Sequence, residues 1–228
     1  MQILKVKICC ISSIEEAKLA IKYGASALGL VSAMPSGPGP ISEEMIAEIV
    51  SHIPKGIASF LLTSKQDAES IIIQQRQTKV NTLQLVDAVS VEVYQRLRKE
   101  LLQIKLVQVI HVVGEESIAE AKSVAPYVDK ILLDSGNPNL AVKELGGTGR
   151  KHDWNISRKI VESVNVPVFL AGGLNAENVR EAIEFVRPYG VDICSGVRTN
   201  GKLNEEKLKR FFEAVTFPAD TSVRNGSP

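Results

Sequence analysis

Cysteine is scarce: three residues in 228, two of them adjacent at Cys9 and Cys10. No disulfide framework and no Cys-x-x-Cys metal pair can be built from such a set. An excess of one charge is equally absent. The formal net charge is +1 and no long basic block occurs, which argues against nucleic acid as a partner. No apolar stretch reaches the ~18 residues of a membrane span. The N-terminus reads as a charged strand, not a signal peptide. The expectation is a cytoplasmic protein without a membrane or nucleic-acid partner. No serine sits on a nucleophile elbow and no residue set has metal-ligand spacing, so neither a Ser-His-Asp triad nor a metal is expected. Lysine and arginine are missing from one long segment, residues 23–54.

What is present is alternation. Short apolar runs at 3–9, 26–31, 57–62, 82–86, 104–110, 129–134, 167–171 and 191–195 read as strands. Amphipathic stretches between them read as helices. Ser13 with Glu16 forms a capping box before IEEAKLAIKYG, and Gly24 stops that helix. Ser42 starts a second helix that Pro54 ends. Asn175 is the expected cap of AENVREAIEFVRP. Further helices are expected at 65–76, 90–102, 116–124, 156–164 and 204–215. Parallel strands with helical crossovers make either an open doubly wound sheet or a closed barrel. βα units of roughly 28 residues in a chain of this length favour an α/β fold of the (β/α)8 TIM-barrel type. One domain over 1–216 is expected, with a polar, frayed tail at 217–228.

In such a barrel, chemistry sits at the C-terminal ends of the strands. Strand one closes with Cys9. By period two, Leu4, Val6 and Ile8 should face the helices, and Lys5, Lys7 and Cys9 the lumen. Lys7 could favour the thiolate of Cys9. The competing reading is a small buried cysteine above a lysine paired with a carboxylate. Cys10 should point away from the lumen and pack. Strand six closes with Asp134, a candidate general acid or base, or else a cap for the turn that follows. Strands seven and eight end in glycine turns, Gly172–Gly173 and Ser195–Gly196, at the usual phosphate position of this architecture. A long loop, GGTGRKHDW (146–154), carries glycines whose amides can approach a ligand. His52 should be solvated; His111 could face the site or serve structure; His152 lies in the long loop.

KIC in strand one, Gln84–Leu85 in strand four, LLD in strand six, GGTG with DW, AGGL with Asn175 and Asn178, and VD-x-x-SGV recur in this order. Together they resemble the phosphoribosylanthranilate isomerase family over about residues 5–215. The resemblance implies a cofactor-free barrel acting on a small phosphorylated sugar, as monomer or homodimer. It implies an Amadori rearrangement of N-(5-phosphoribosyl)anthranilate, with Cys9 as general base and Asp134 as general acid. The family's phosphate site matches Gly172, Gly173, Ser195 and Gly196, with Gly147 and Thr148 nearby.

The sequence departs from that pattern in four places. Cys10 replaces a glycine. PSGPGPIS (35–42) lacks the arginine that grips the anthranilate carboxylate in the family. Val86 and Asp87 replace a histidine and a glycine. Arg198 stands where an acidic residue often follows SGV. Lys7 and Gln84 are candidate positioning groups, and Arg150, Lys151 or Arg198 are candidate replacements for the missing arginine. The competing readings are a related isomerase or epimerase for another phosphorylated aminosugar, and a non-catalytic phosphosugar-binding barrel.

Overall fold

The computed structural model describes residues 3–137, 139–146 and 149–216. Eight parallel strands close into a barrel: β1 Lys5–Ile8, β2 Ala27–Val31, β3 Ala58–Thr63, β4 Thr82–Leu85, β5 Lys105–His111, β6 Lys130–Asp134, β7 Val168–Leu170 and β8 Gly190–Ile193. β8 pairs back onto β1 in the register Lys5↔Gly190 to Ile8↔Ile193. The helices α1 Ile14–Lys22, α2 Glu43–Ser51, α3 Ala68–Thr78, α4 Val91–Glu100, α5 Glu116–Val124, α6 Trp154–Ser163, α7 Val179–Val186 and α8 Glu205–Thr216 each follow one strand. The expected TIM barrel is the observed fold. Among the described residues, no helix is long and apolar enough to cross a membrane. The tail at 217–228 lies outside them.

Local chemistry accounts for the helix starts. Ser13 Oγ accepts from Glu16 N at 3.2 Å, Ser42 Oγ from Met45 N at 3.2 Å, and Asp67 Oδ1 from Ser70 N at 2.9 Å. Each bond satisfies an amide that has no partner within its helix. Gly24, at φ +109°, ends the first helix in the left-handed region open to glycine. Asn178, rather than Asn175, takes the N-cap position of α7. Asn175 instead makes the preceding turn, its Oδ1 accepting from the amides of Glu177 and Asn178.

Two apolar layers result. Val6, Ile8, Leu28, Leu30, Leu83, Leu85 and their equivalents point outward and pack on the helices. The lumen holds a second cluster that includes Phe60, Val107, Val109, Leu132 and Phe169. Each fully buried Leu, Ile or Val contributes roughly 1.5–3 kcal/mol, so the outer layer dominates stability. The inner layer is where polar residues interrupt. A small antiparallel hairpin, β9 Arg198–Thr199 and β10 Lys202–Leu203, follows β8. Its two-residue strands are too short to leave a periodic signal in the sequence.

Candidate active site

β1 brings Lys7 and Cys9 to the inner face, two residues apart as the strand period requires. Lys7 is fully buried, and its Nζ donates to Asp192 Oδ2 at 2.7 Å. Asp192 is its register partner on β8. Burial opposes charge on Lys7, but the Asp192 carboxylate and the Cys9 sulfur outweigh it and hold the ammonium above its ordinary range. Burial also pushes the Asp192 carboxyl up; Lys7 pulls it back, and the like charge of Asp134 adds to the rise. Asp192 Oδ1 has no hydrogen-bond partner among the described residues.

Cys9 lies directly above this pair, buried at the end of β1. The Cys10 thiol beside it is the strongest influence and favours the thiolate. Burial opposes, Lys7 supports, and the net direction is below the ordinary thiol range. Cys10 moves the other way. Its sulfur neighbours Cys194 and Cys9 in a buried setting, and it stays protonated. Gly29, facing them from β2, leaves the necessary room: a Cβ there would stand 2.7 Å from Cys9 Sγ and 3.0 Å from Lys7 Nζ.

The expected outward placement of Cys10 does not hold. Its φ is +62°, which rotates the side chain out of the strand alternation. It lines the same opening as Cys9, and its thiol donates to Pro38 O at 3.6 Å.

Asp134 ends β6 on the inner face. Its Oδ1 accepts from Ser135 N at 2.7 Å, so it does cap the turn. Its Oδ2 faces Gly146, where a Cβ would stand 2.5 Å away. The first amide of the following turn thus occupies one oxygen, and the other faces the long loop. Asp134 and Asp192 are shared by two adjoining openings. One is lined by Cys9, Cys10, Gln84 and an apolar wall of Val31, Met34, Pro38, Leu62 and Leu145. The other is lined by Gly149, Gly172, Gly173, Cys194 and Ser195. Gln84 is buried in the first, and its Oε1 has no partner among the described residues. Gly172 and Gly173 take φ of +83° and +63°, a concave main chain suited to an anion. Side chains there would strike His152 Nδ1 at 2.9 Å and the Arg150 carbonyl carbon at 2.8 Å.

Gly196 does not line this second opening. It packs behind it, where a Cβ would collide with Leu174 O. Gly147 and Thr148 lie outside the described residues.

The proposed replacement cations are differently disposed. Arg198 is buried beneath the β1 turn: it donates to Cys9 O at 3.1 Å and Cys10 O at 2.6 Å and pairs with Glu16 at 2.9 Å. It lines neither opening. Its commitment to main-chain carbonyls removes it as a substrate contact. Arg150 pairs with Glu144 at the mouth. Lys151 Nζ sits 5.1 Å from the centre of the Trp154 ring. Lys7, a candidate positioning group, is sealed beneath Cys9 at zero exposure and reaches Asp192 instead. Of the histidines, His52 is exposed at a helix end, and His111 Nε2 meets Val86 O at 2.9 Å. His152 Nε2 meets Ser157 Oγ at 2.7 Å, and burial holds its ring below the ordinary pKa.

The family described as N-(5'-phosphoribosyl)anthranilate (PRA) isomerase matches residues 6–214. The chain belongs to this family. N-(5'-phosphoribosyl)anthranilate isomerase 2 of Methanosarcina mazei is 40% identical over 210 residues, covering 91% of this chain and 92% of that one. The crystal structure of the Thermotoga maritima phosphoribosylanthranilate isomerase superposes with a TM-score of 0.79 at 30% identity, over 93% of this chain and 98% of that one. A phosphoribosylanthranilate isomerase solved with reduced 1-(o-carboxyphenylamino)-1-deoxyribulose 5-phosphate gives 0.77 at 28% identity, over the same shares.

Within this isomerase family the departures acquire positions. Asp87, standing for a glycine, accepts from Lys143 Nζ at 2.5 Å. Ser36 of the PSGPGPIS loop donates to Lys143 O at 2.5 Å. The arginine-free loop is thus tied to the long loop of β6 and walls the apolar opening. Sequence reading missed Asp192 as a site residue. Its signal was the alternation Gly190, Asp192, Cys194 on the inner face of β8, which lay inside the VD-x-x-SGV motif.

Proposed function

We infer that this chain converts N-(5'-phosphoribosyl)anthranilate to 1-(2-carboxyphenylamino)-1-deoxyribulose 5-phosphate by an internal proton-transfer rearrangement. One observation carries the reading: Cys9 after β1 and Asp134 at the end of β6 line one opening that continues into the glycine turns after β7 and β8. Asp134, acting as proton donor, delivers to the ring oxygen of the furanose, and the ring opens to an iminium. The Cys9 thiolate takes the proton from C2', giving an enolamine that tautomerises to the ketone. No net oxidation occurs, because electrons move only from C2' toward C1'.

The surroundings suit these steps. Lys7 and the neutral Cys10 thiol both favour the thiolate, which matches a general base. The left-handed glycines and Ser195 offer main-chain and hydroxyl donors to a phosphate. The wall of Val31, Met34, Leu62 and Leu145 offers an apolar face to an aromatic ring. Purified protein mixed with freshly prepared phosphoribosylanthranilate should abolish that compound's fluorescence catalytically. Absence of turnover, with phosphate still bound, would reject the proposal in favour of another phosphorylated sugar.

A further inference from the structure

Cys10 and Arg198 are two of the positions at which this chain departs from its family's pattern. They lie 188 residues apart and touch: Arg198 Nη2 donates to Cys10 O at 2.6 Å, and also to Cys9 O at 3.1 Å. The same guanidinium binds both oxygens of Glu16, at 2.9 and 3.1 Å, and Gly201 O at 2.9 Å. Glu16 is fixed in turn by Ser12 N at 3.0 Å and Leu203 N at 2.7 Å. One buried cation therefore joins the end of β1, the start of α1 and the hairpin after β8. We propose that Arg198 is a positioning residue for catalysis: its hold on two consecutive carbonyls fixes the turn that aims the Cys9 sulfur, a hold needed because Cys10 is not glycine.

The physical reason lies in the backbone. β1 ends at Ile8, so the carbonyls of Cys9 and Cys10 leave the sheet in a buried region, where an unpaired carbonyl is costly. Cys10 sits at φ +62°, a conformation unfavourable for a side chain bearing Cβ. Glycine would adopt it freely. With cysteine, the turn needs an outside constraint or it relaxes toward negative φ and swings the adjoining sulfur. Gly39, crossing above, would bring a Cβ within 2.8 Å of Cys10 Cβ, so the turn has little other room. Arginine suits the task because its planar fork reaches several acceptors at once, whereas lysine presents a point charge.

This inference rests on Cys9 being the proton-abstracting group, so the test separates the two. Arg198→Met and Arg198→Lys are compared with wild type at a pH where the thiol is ionised. Each should lose about tenfold to a hundredfold in kcat, the scale of a small misplacement of a reacting group, while KM changes little. Adding Cys10→Gly to Arg198→Met should restore a large part of that loss, since glycine removes the need for the constraint. Arg198→Lys keeps a cation beside Glu16, which guards against simple unfolding. Hydrogen exchange at the amides of Cys10, Ile11 and Ser12 gives a readout independent of chemistry, and it should speed up in both variants. Wild-type kcat in both variants, a loss confined to KM, unchanged exchange, or no restoration by Cys10→Gly would each overturn the proposal. A fully active Cys9→Ala enzyme would instead overturn the assignment of the base, and exchange would still decide the clamp.

Discussion

The two mouths of the barrel are built from the same strands, yet they treat polar groups in opposite ways. β6 shows the contrast by itself, with Lys130 at one end and Asp134 at the other. At the lower mouth a cavity of about 290 Å3 is lined by Lys5, Lys105, Lys130, Ser26, Asn81 and Thr82. Its small polar side chains are already committed: Ser26 Oγ bonds both Val6 N and Val6 O, and Asn81 bonds Ser59 N and Ile57 O. At the upper mouth the openings are tighter, the cation is sealed and paired, and Asp192 Oδ1 and Gln84 Oε1 have no partners among the described residues. Left-handed backbone does not separate the two ends: Cys10, Gly146, Gly172 and Gly173 carry it above, and Gly24, Gly56, Lys79 and Arg187 carry it below. Room alone does not mark function in this molecule. Unspent hydrogen-bonding capacity is what sets the upper mouth apart among the described residues.

The sharpest break of that contrast comes from the reacting groups. Cys9→Ala and Asp134→Asn should each lower kcat by about 10²- to 10⁴-fold, the usual share of a positioned acid or base. Both proteins should fold normally, because neither change leaves a buried charge alone. Steady-state kinetics on phosphoribosylanthranilate, with circular dichroism as control, measures this. A loss of less than tenfold in both would remove the distinction between the two mouths.

Lys7 tests the same contrast through stability. Lys7→Met strands Asp192 in the lumen, and losing one partner of a buried pair costs about 3–5 kcal/mol. Denaturant unfolding reads this directly. Replacing both partners together, Lys7→Met with Asp192→Leu, should recover most of the stability and none of the activity. A single variant as stable as wild type would mean that the pair is not sealed.

The acidic limb of the kcat/KM profile gives a subtler comparison between neighbouring sulfurs. The Cys10 thiol is the leading influence lowering the Cys9 pKa. The base is active when deprotonated, so activity falls as pH drops through that lowered value. Removing the donor in Cys10→Gly should move this limb to higher pH, while the plateau at high pH is kept. An unmoved limb would assign the thiolate to Lys7 alone.

Much of this arrangement was legible in the sequence because it depends on period and punctuation. The alternation Lys5, Lys7, Cys9 put the correct face inward, and apolar runs located all of the barrel strands to within a few residues. The capping serines at 13 and 42 behaved as local rules require. What escaped depended on contacts remote in sequence. Nothing near Arg198 announces that its guanidinium reaches the carbonyls of residues 9 and 10, so it read as a free cation. Cys10 was assigned by strand alternation, which a single left-handed residue cancels. The carboxylate that pairs Lys7 was anticipated as a type of partner, but its identity needed the closure of β8 onto β1.

The smallest expected effect lies at the lower mouth. Lys130 is half-buried, and burial, reinforced by Lys105, holds its ammonium below the ordinary range despite Asp129. A lysine with a depressed folded-state pKa is disfavoured as a cation. Below the unfolded pKa, neutral pH included, its charge therefore costs stability, and the cost disappears as pH rises. Lys130→Met should accordingly leave kcat unchanged and alter unfolding free energy by no more than about 0.5 kcal/mol, the range of ordinary surface changes, with any shift toward greater stability. Its sequence counterpart on the inner face, Lys7, has the opposite direction of shift and the opposite expected outcome. The two lysines differ in burial and in what faces them: Lys105 and the flanking Asp129 at one end, a register-matched carboxylate at the other. A marked loss of activity in Lys130→Met would show that the lower mouth communicates with the chemistry, and that the division between the two ends is not as clean as their hydrogen bonding implies.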